Sequence, residues 1–585
     1  MCGIFFSIAR NGPVLPDQHT VDALHARGPD SYKVLNVTCS TDNAQKIYLT
    51  FISSVLALRG EQIQRQPLFD EASGSVFCWN GEAWKVGGAK VTGNDSVYVW
   101  DLLLQATSPQ QESGRHQRIS EALTSIAGPF AFVFYDAPTS TVYYGRDRLG
   151  RRSLLVNQCD DGSSLTLSSI SPLRQNTGCC SEVATDTFHY LPLKSANNVV
   201  PGKLPWLNVP LAINKSLPPN GSPPAVPSAS SIEQFLQHLR DALILRSVDI
   251  PDHSHGQMQP GSAKVAILFS GGLDCTLLAR LLHDLLPQEE AVDLLNVAFE
   301  NPRSMAAKGG STTGAAYELC PDRITGRSSF SELCQICPER RWRFVAIDVP
   351  YSETLSHKPS IINLMYPHNT EMDLSIAMAL HFAARGKGEV SEHPSDVCSK
   401  AKYFVSTARV LLSGLGADEL YAGYSRHAAA FSRDGFRGLA DELELDFDRI
   451  GSRNLGRDDR VMSHWGKEIR YPYLDEDFVN FSLSLPVWEK SGFRPGKSVP
   501  KHHEAVGTPS KSEDLEPAKM LLRLAMWQLG MRRAASERKR AIQFGARTAK
   551  MDVGKGRTKG TDILTLSKAD SPWIYIHPTG SCSRA

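Results

Sequence analysis

Hydrophobic and polar positions change their period once along this 585-residue chain. Up to about residue 205 the apolar runs are short, as in Val76–Trp79 and Phe130–Tyr135, and Gly, Asn and Asp turns separate them. That pattern predicts a β-rich unit over 1–205. Residues 206–231 follow, dense in Pro and Ser around Leu217-Pro-Pro-Asn-Gly-Ser-Pro-Pro. Such a stretch supports neither ladder nor helix and reads as a linker. From Ile232 the period becomes 3.6, with Phe235, Leu236, Leu239 and Leu243 on one face of an expected helix. Strand and helix patterns then alternate: strands at Lys264–Phe269, Leu294–Phe299, Arg343–Val349 and Val410–Leu412, helices at Thr276–Leu285 and Met372–Ala384. The alternation implies a parallel sheet with helices on both faces, spanning 232–550. Stretches near 301–319, 387–400 and 491–516, rich in Gly, Ser, Pro or Lys, read as surface insertions, and 551–585 as a loose tail.

Composition narrows the classes. Lys plus Arg is 63 and Asp plus Glu is 62, a formal charge of +1. That balance argues against nucleic acid as the main partner. No run of 18 apolar residues without charge is present, so no membrane span is expected. The first residues, Met1-Cys-Gly-Ile-Phe-Phe-Ser-Ile-Ala-Arg, lack the basic start and long apolar run of a signal peptide. The 12 cysteines are scattered, which suits a reducing, cytoplasmic setting. Oligomeric state is not legible.

Candidate chemistry begins at Cys2. If Met1 is removed, Cys2 carries a thiol and a free α-amine, a nucleophile and a base in one residue. Downstream stand Arg27-Gly-Pro-Asp30, Arg59-Gly60, Gln66-Pro67-Leu68, Asn80-Gly81-Glu82, Asn94-Asp95, Gly128-Pro-Phe-Ala-Phe-Val-Phe-Tyr-Asp136 and Arg146-Asp-Arg-Leu-Gly150. This ordered set resembles the class II glutamine amidotransferase domain of asparagine synthetases. The resemblance implies an α+β N-terminal-nucleophile hydrolase sandwich (αββα). It implies that Cys2 attacks the glutamine amide and that Asn80 and the Gly81 N–H form an oxyanion hole. It also implies that Arg59 clamps the substrate carboxylate, that Gly60 and Ile63 line the pocket, and that Glu82 and Asp95 hold the α-ammonium. Read alone, Asn80-Gly81 is also a hairpin turn signal.

Val265-Ala-Ile-Leu-Phe-Ser270-Gly271-Gly272-Leu-Asp274-Cys275 is an apolar strand, a glycine turn and a helix start, an arrangement suited to phosphate. It lacks Gly-Lys-Ser/Thr and is not a Walker loop. A second strand, loop and helix is Val410-Leu-Leu-Ser413-Gly414-Leu415-Gly416-Ala417-Asp418-Glu419, and Asp459-Arg460 to Leu474-Asp475 forms a third motif. Together they resemble the synthetase half of asparagine synthetases over about 232–300 and 321–547. That implies an α/β doubly wound parallel-sheet ATP-pyrophosphatase domain using ATP and Mg²⁺. By the same resemblance Leu268, Val297, Ser413 and Gly414 face the nucleoside, while Ser270, Gly271, Gly272, Asp274 and Cys275 face the phosphates. Asp274 and Asp418 would share Mg²⁺, and Lys539 and Arg540 are both candidates for the diphosphate.

The implied reaction is glutamine-dependent amide synthesis through an acyl-adenylate, with aspartate as the family's acceptor. Two residues depart from the pattern. Cys275 replaces a serine, and a thiol is the poorer donor. Leu415 replaces a glutamate tied to the acyl-adenylate, which weakens ordinary asparagine synthesis as the expectation and keeps open a protein that binds nucleotide in a regulatory role. The Asp322-Arg-Ile-Thr-Gly-Arg327 and Gly456-Arg-Asp-Asp-Arg460 runs mark a distinct branch of the family. Cys334 and Cys337, with Cys320 upstream, lack the second pair that a structural zinc site wants.

Overall fold

The computed structural model describes residues 2–108, 114–158, 164–171, 179–194, 201–208, 211–219, 227–251, 262–303, 313–398, 402–495, 515–551 and 559–564. In the first unit two antiparallel sheets stack. One has the strand order Cys179–Glu182, Leu155–Gln158, Leu165–Ser168, Gly3–Ala9, Lys46–Val55, Ser31–Ser40. The other runs Gly202–Pro205, Thr187–Pro192, Thr141–Arg146, Phe130–Asp136, Val76–Gly81, Leu68–Phe69. Side-chain alternation explains the layers. Ile4, Phe6 and Ile8 pack with Phe51, Val76, Val133 and Tyr144 between the sheets. Phe5 and Ile52 point the other way, onto Ala23 and Leu24 of helix Gln18–Arg27. Phe77, Trp79 and Phe132 leave the second sheet toward Val99, Leu103 and Ile119 of helices Asp95–Ala106 and Arg115–Thr124. The order is helix, sheet, sheet, helix.

The second unit is built on a seven-stranded sheet: Lys402–Val405, Lys387–Ser391, Trp342–Val349, Val292–Phe299, Val265–Leu268, Val410–Leu412, Glu468–Arg470. The last five strands in that order are mutually parallel. Helices cover both faces, so Val292–Phe299 is buried along its whole length. The chain starts at Val265–Leu268 in the middle, builds outward through 292–299 and 342–349, then returns to build the other side from 410–412. The carboxyl ends of 265–268 and 410–412 therefore part at a topological switch point, the crevice where open α/β sheets take ligands.

Residues 387–400, expected as a surface insertion, instead begin with a strand. Lys387–Ser391 pairs antiparallel with 342–349 and carries Lys402–Val405 on its free side. Its composition is polar because the strand is half-exposed, and Gly388 is required since a Cβ there would lie 2.2 Å from Ala346 O. The described part of 301–319 ends in the helix Thr313–Glu318, whose Glu318 meets Arg323 at 2.8 Å. Of 491–516, residues 496–514 lie outside the described residues, as do 565–585 of the tail. Residues 559–564 of that tail lie along the helix Glu371–Arg385, with Glu371 N donating to Asp562 O at 3.0 Å. The linker is strapped down at Asn214, whose backbone N donates to Leu483 O at 2.9 Å. Among the described residues no helix is long and apolar enough to cross a membrane.

The units meet along a buried, charged seam. Helix Leu455–Ser463 is buried at every residue. Gly456, Asp459, Arg460 and Ser463 form one stripe at helical spacing and face the first unit. Asp459 Oδ2 accepts from Arg27 Nη2 at 2.8 Å and from Ser153 N at 3.1 Å. Ser463 Oγ accepts from Arg27 Nη1 at 2.6 Å. Arg460 donates to Glu182 and to Ser153 Oγ, each at 2.8 Å. A Cβ at Gly456 would lie 2.3 Å from the Glu182 carboxylate, so a side chain there would displace that carboxylate from Arg460. Beside it Arg152 reaches Glu468 at 3.3 Å and Arg151 donates to Leu474 O at 2.6 Å. Removing one member of a buried pair strands its partner. Asp459→Ala should therefore cost roughly 3–5 kcal/mol of stability, read as a lower urea midpoint; an unchanged midpoint contradicts that account.

Candidate functional site

Cys2 sits at the start of the strand Gly3–Ala9, against Val55, Ala57 and Ile63. Its carbonyl accepts from Arg27 Nε at 3.2 Å, so the residue is registered against the seam. Burial pushes the thiol up to about 11; the Leu56 N–H pulls the other way, while Glu468 and Asp95 add to the rise. Asn80 is the penultimate residue of the strand Val76–Gly81 and is fully buried, yet neither its Oδ1 nor its Nδ2 has a hydrogen-bond partner among the described residues. Buried amides left unpaired are costly. Gly81 lies so close to Pro129 O, 2.6 Å from where a Cβ would stand, that no side chain fits.

The two acidic positions behave differently from each other. Asp95 opens helix Asp95–Ala106 and accepts from Trp79 Nε1 at 3.0 Å and Ala83 N at 2.8 Å; burial raises its carboxyl. Glu82, expected at the substrate ammonium, bridges guanidiniums of both units: Arg470 at 3.0 Å and Arg59 at 3.4 Å. Burial and the neighbouring Glu468 raise it as well. Arg59 donates to Val91 O at 2.7 Å and Gly93 O at 3.3 Å, and 16% of its side chain stays exposed. Gly60 follows with φ +75°, turning the loop beneath Asn94. The Trp84 indole lies under three guanidiniums, Arg470 at 4.8 Å and Arg59 and Arg246 each at 5.4 Å. Trp84, Glu468 and Arg470 carry no role in the sequence motifs, since only the fold brings them to Glu82.

At the switch point lies a cavity of about 420 Å³. Leu268 and Val297 line its strand side, and Ser413, Gly414 and Leu415 its second loop. Ser270, Gly272, Asp274 and Cys275 supply the first loop, with Asp418, Lys539 and Arg540 opposite. Gly271 does not face the cavity. It takes φ +76° and packs on helix Pro321–Ile336, where a Cβ would lie 2.5 Å from the Gly326 backbone. Ser329 Oγ completes that contact, donating to Gly271 O at 2.7 Å. The Asp322–Arg327 run is thus the surface on which the glycine loop is seated. The two loops also touch, with Gly414 2.8 Å from Asp274 Cβ by the same measure.

Asp274 and Asp418 are joined by a cation that the sequence reading missed. Lys519 lies 2.6 Å from each carboxylate, and Lys539 pairs with Asp418 as well. The two lysines hold Asp418 far below the ordinary carboxylate range. Asp274 Oδ1 is buried and has no hydrogen-bond partner among the described residues. Arg540 donates to Thr325 Oγ1 at 2.8 Å, so the two basic candidates take different partners. Lys519 has φ +57° and precedes the apolar helix Met520–Gln528; a lone lysine ahead of an apolar run was its only trace in the sequence. The Cys275 thiol lies 3.6 Å from Ser270 Oγ and donates to Gly272 O at 3.3 Å. Leu415 is partly buried against the core, and its N–H donates to Ser413 Oγ at 3.2 Å. Cys320 and Cys337 cap the two ends of helix Pro321–Ile336 and are buried.

Comparison with known proteins agrees with this two-part arrangement. A glutamine amidotransferase domain model matches residues 54–175, and an asparagine synthase model matches 434–512. Asparagine synthetase domain-containing protein 1 of Gallus gallus is 32% identical, covering 94% of this chain and 98% of that protein. The Homo sapiens protein of that name is also 32% identical, over 94% and 96%. Asparagine synthetase [glutamine-hydrolyzing] of Gallus gallus is 21% identical, over 83% and 77%. The chain belongs to the family of asparagine synthetase domain-containing proteins, with a glutamine amidotransferase domain ahead of an asparagine synthase domain.

The Cys2 thiol gives a direct check on the first site. With the thiol raised to about 11, alkylation of Cys2 by iodoacetamide should quicken about tenfold per pH unit from neutral into the alkaline range. Peptide mass spectrometry reads the rate, and a plateau near neutral pH would contradict the buried thiol.

Proposed function

We propose that this chain moves the amide nitrogen of glutamine onto a carboxylic acid that it first activates with ATP. Cys2 attacks the glutamine amide, and Asn80 with the Gly81 N–H receives the developing oxyanion. The α-amine of Cys2, with Met1 removed, takes the thiol proton. Arg59 holds the substrate carboxylate and Asp95 its ammonium; Gly60 and Ile63 shape the pocket. Ammonia passes inside the protein to the second site.

There Ser270, Gly272 and Cys275 of the glycine loop receive the phosphates, with Gly271 seating that loop on the helix behind it, and Leu268, Val297, Ser413 and Gly414 receive the nucleoside. Asp274, with its unpaired buried Oδ1, and Asp418 suit Mg²⁺. Bound there, Mg²⁺ would offset the charge of the phosphate chain. Lys519, Lys539 and Arg540 meet the diphosphate as it leaves. The observation that carries this reading is the helix Leu455–Ser463: Asp459 and Ser463 hold Arg27 on the Cys2 carbonyl, while Arg457, Asp458 and Met462 line the nucleotide cavity. The described cysteines are free thiols, which suits the cytoplasm.

Aspartate is the family's acceptor, and Leu415 is the reason to test others beside it. With amide-labelled ¹⁵N-glutamine, ATP and a panel of amino-acid carboxylates, label should enter the amide of one acid. Cys2→Ala should abolish that transfer and keep synthesis from free ammonia; loss of both contradicts two separable sites. A second reading, nucleotide binding with a regulatory role, is favoured by Leu415, and ATP binding with no turnover of either half-reaction would establish it. Lys519→Ala removes a charge-assisted contact worth about 1.5–3 kcal/mol. ATP–diphosphate exchange should then fall at least about tenfold in kcat/KM, and unaltered exchange would remove Lys519 from the site.

A further inference from the structure

Asp322 opens helix Pro321–Ile336, and the reaction above leaves it without a task. The residue is 7% exposed. Its backbone carbonyl accepts from Asn296 Nδ2 at 2.8 Å, but its carboxyl group accepts no hydrogen bond from any described residue. It lines the nucleotide cavity and also a smaller adjoining one of about 60 Å³ beneath the glycine loop. Its place is fixed from two sides. Gly545 packs on the carboxyl, where a Cβ would lie 2.0 Å from Oδ1, and Gly326, one turn further along the helix, packs on Gly271 of the loop.

The charged groups around it are committed elsewhere. On its own helix Arg323 turns to Asn296, Glu318 and Asp348. From the following segment Lys539 takes Asp418 and Arg540 takes Thr325, with Glu537 and Arg538 lining the smaller cavity. From the start of helix Met520–Gln528, Lys519 takes Asp274 and Asp418, and Arg523 takes Glu516. A bare carboxylate facing a phosphate site repels the ligand unless it is protonated or shares a metal ion. Lys539 and Arg540 nearby disfavour a second divalent cation here. Burial raises the carboxyl to about 7 in spite of Arg540 and Lys539, so the protonated form is within reach near neutrality.

We propose that Asp322 meets the phosphate chain of the bound nucleotide as a carboxylic acid, its O–H donating a hydrogen bond to a phosphoryl oxygen, so that nucleotide binding takes up a proton. This rests on the nucleotide reading of the cavity. Phosphate charge favours the protonated acid, so the complex binds more protons than the free protein, and affinity falls as pH rises through about 7.

The test is calorimetric titration of the full chain with Mg²⁺–ATP, without glutamine or acceptor, in buffers of different ionisation enthalpy. Near pH 7 about half a proton should be taken up per nucleotide bound. In Asp322→Asn, which keeps a neutral donor, ATP should still bind, with that uptake gone and the affinity flat across neutral pH. Proton release on binding would mean a metal-holding carboxylate and would overturn the proposal. So would binding by the parent chain without uptake, or parent-like uptake in the variant. Failure of the parent chain to bind ATP at all would sink the nucleotide reading itself, and this inference with it.

Discussion

Charges that water does not reach hold the two halves of this chain together. Arg27, Arg152 and Arg460 are fully buried, and their partners Asp459, Glu468 and Glu182 come from the opposite unit in each case. Taking such ions out of water costs several kcal/mol each, which is offset only when nearly every donor and acceptor is matched. The seam is therefore poor at adding stability and strict about geometry. A small shift leaves unpaired charge in the interior. That strictness reaches Cys2 through one hydrogen bond from Arg27, and it reaches the nucleotide cavity through the opposite face of the same helix.

The sequence was most informative where a short-range rule determines the structure. The strand at 410–412 is a continuous apolar run, and 292–299 is apolar apart from Asp293 and Asn296, because both faces of the parallel sheet are covered. The glycine loops were legible because a glycine turn between an apolar strand and a helix is a local pattern. What escaped was set by distant contacts. The pairing of Glu82 with Arg470 could not be read because the two lie 388 residues apart. Lys519 belongs to no motif and meets Asp274 across 245 residues. Lys387–Ser391 read as loop because half-exposed strands are not apolar, and the pairing that makes it a strand comes from 342–349.

Leu415 and Gly326 show two ways a family pattern can change. At Leu415 the turn is held by backbone features, the N–H on Ser413 Oγ and Gly416 at φ +103°, and the side chain takes no part in it. Gly326 is the reverse case. It touches nothing chemical, yet the glycine loop is seated on it, so the Asp322–Arg327 run reads as packing that happens to bring an acid to the cavity wall.

Lys519 gives the cavity an internal counter-ion. Together with Lys539 it balances the charge of Asp274 and Asp418 from within the chain. On the function proposed above, an arriving nucleotide with its cation would not fill an empty electrostatic well; it would exchange partners, Asp274 and Asp418 passing to the cation and Lys519 to phosphate. The affinity is then a difference between two nearly balanced sets of ion pairs. Such a site discriminates by geometry more than by charge, and a bare anion without its cation finds the lysine already occupied.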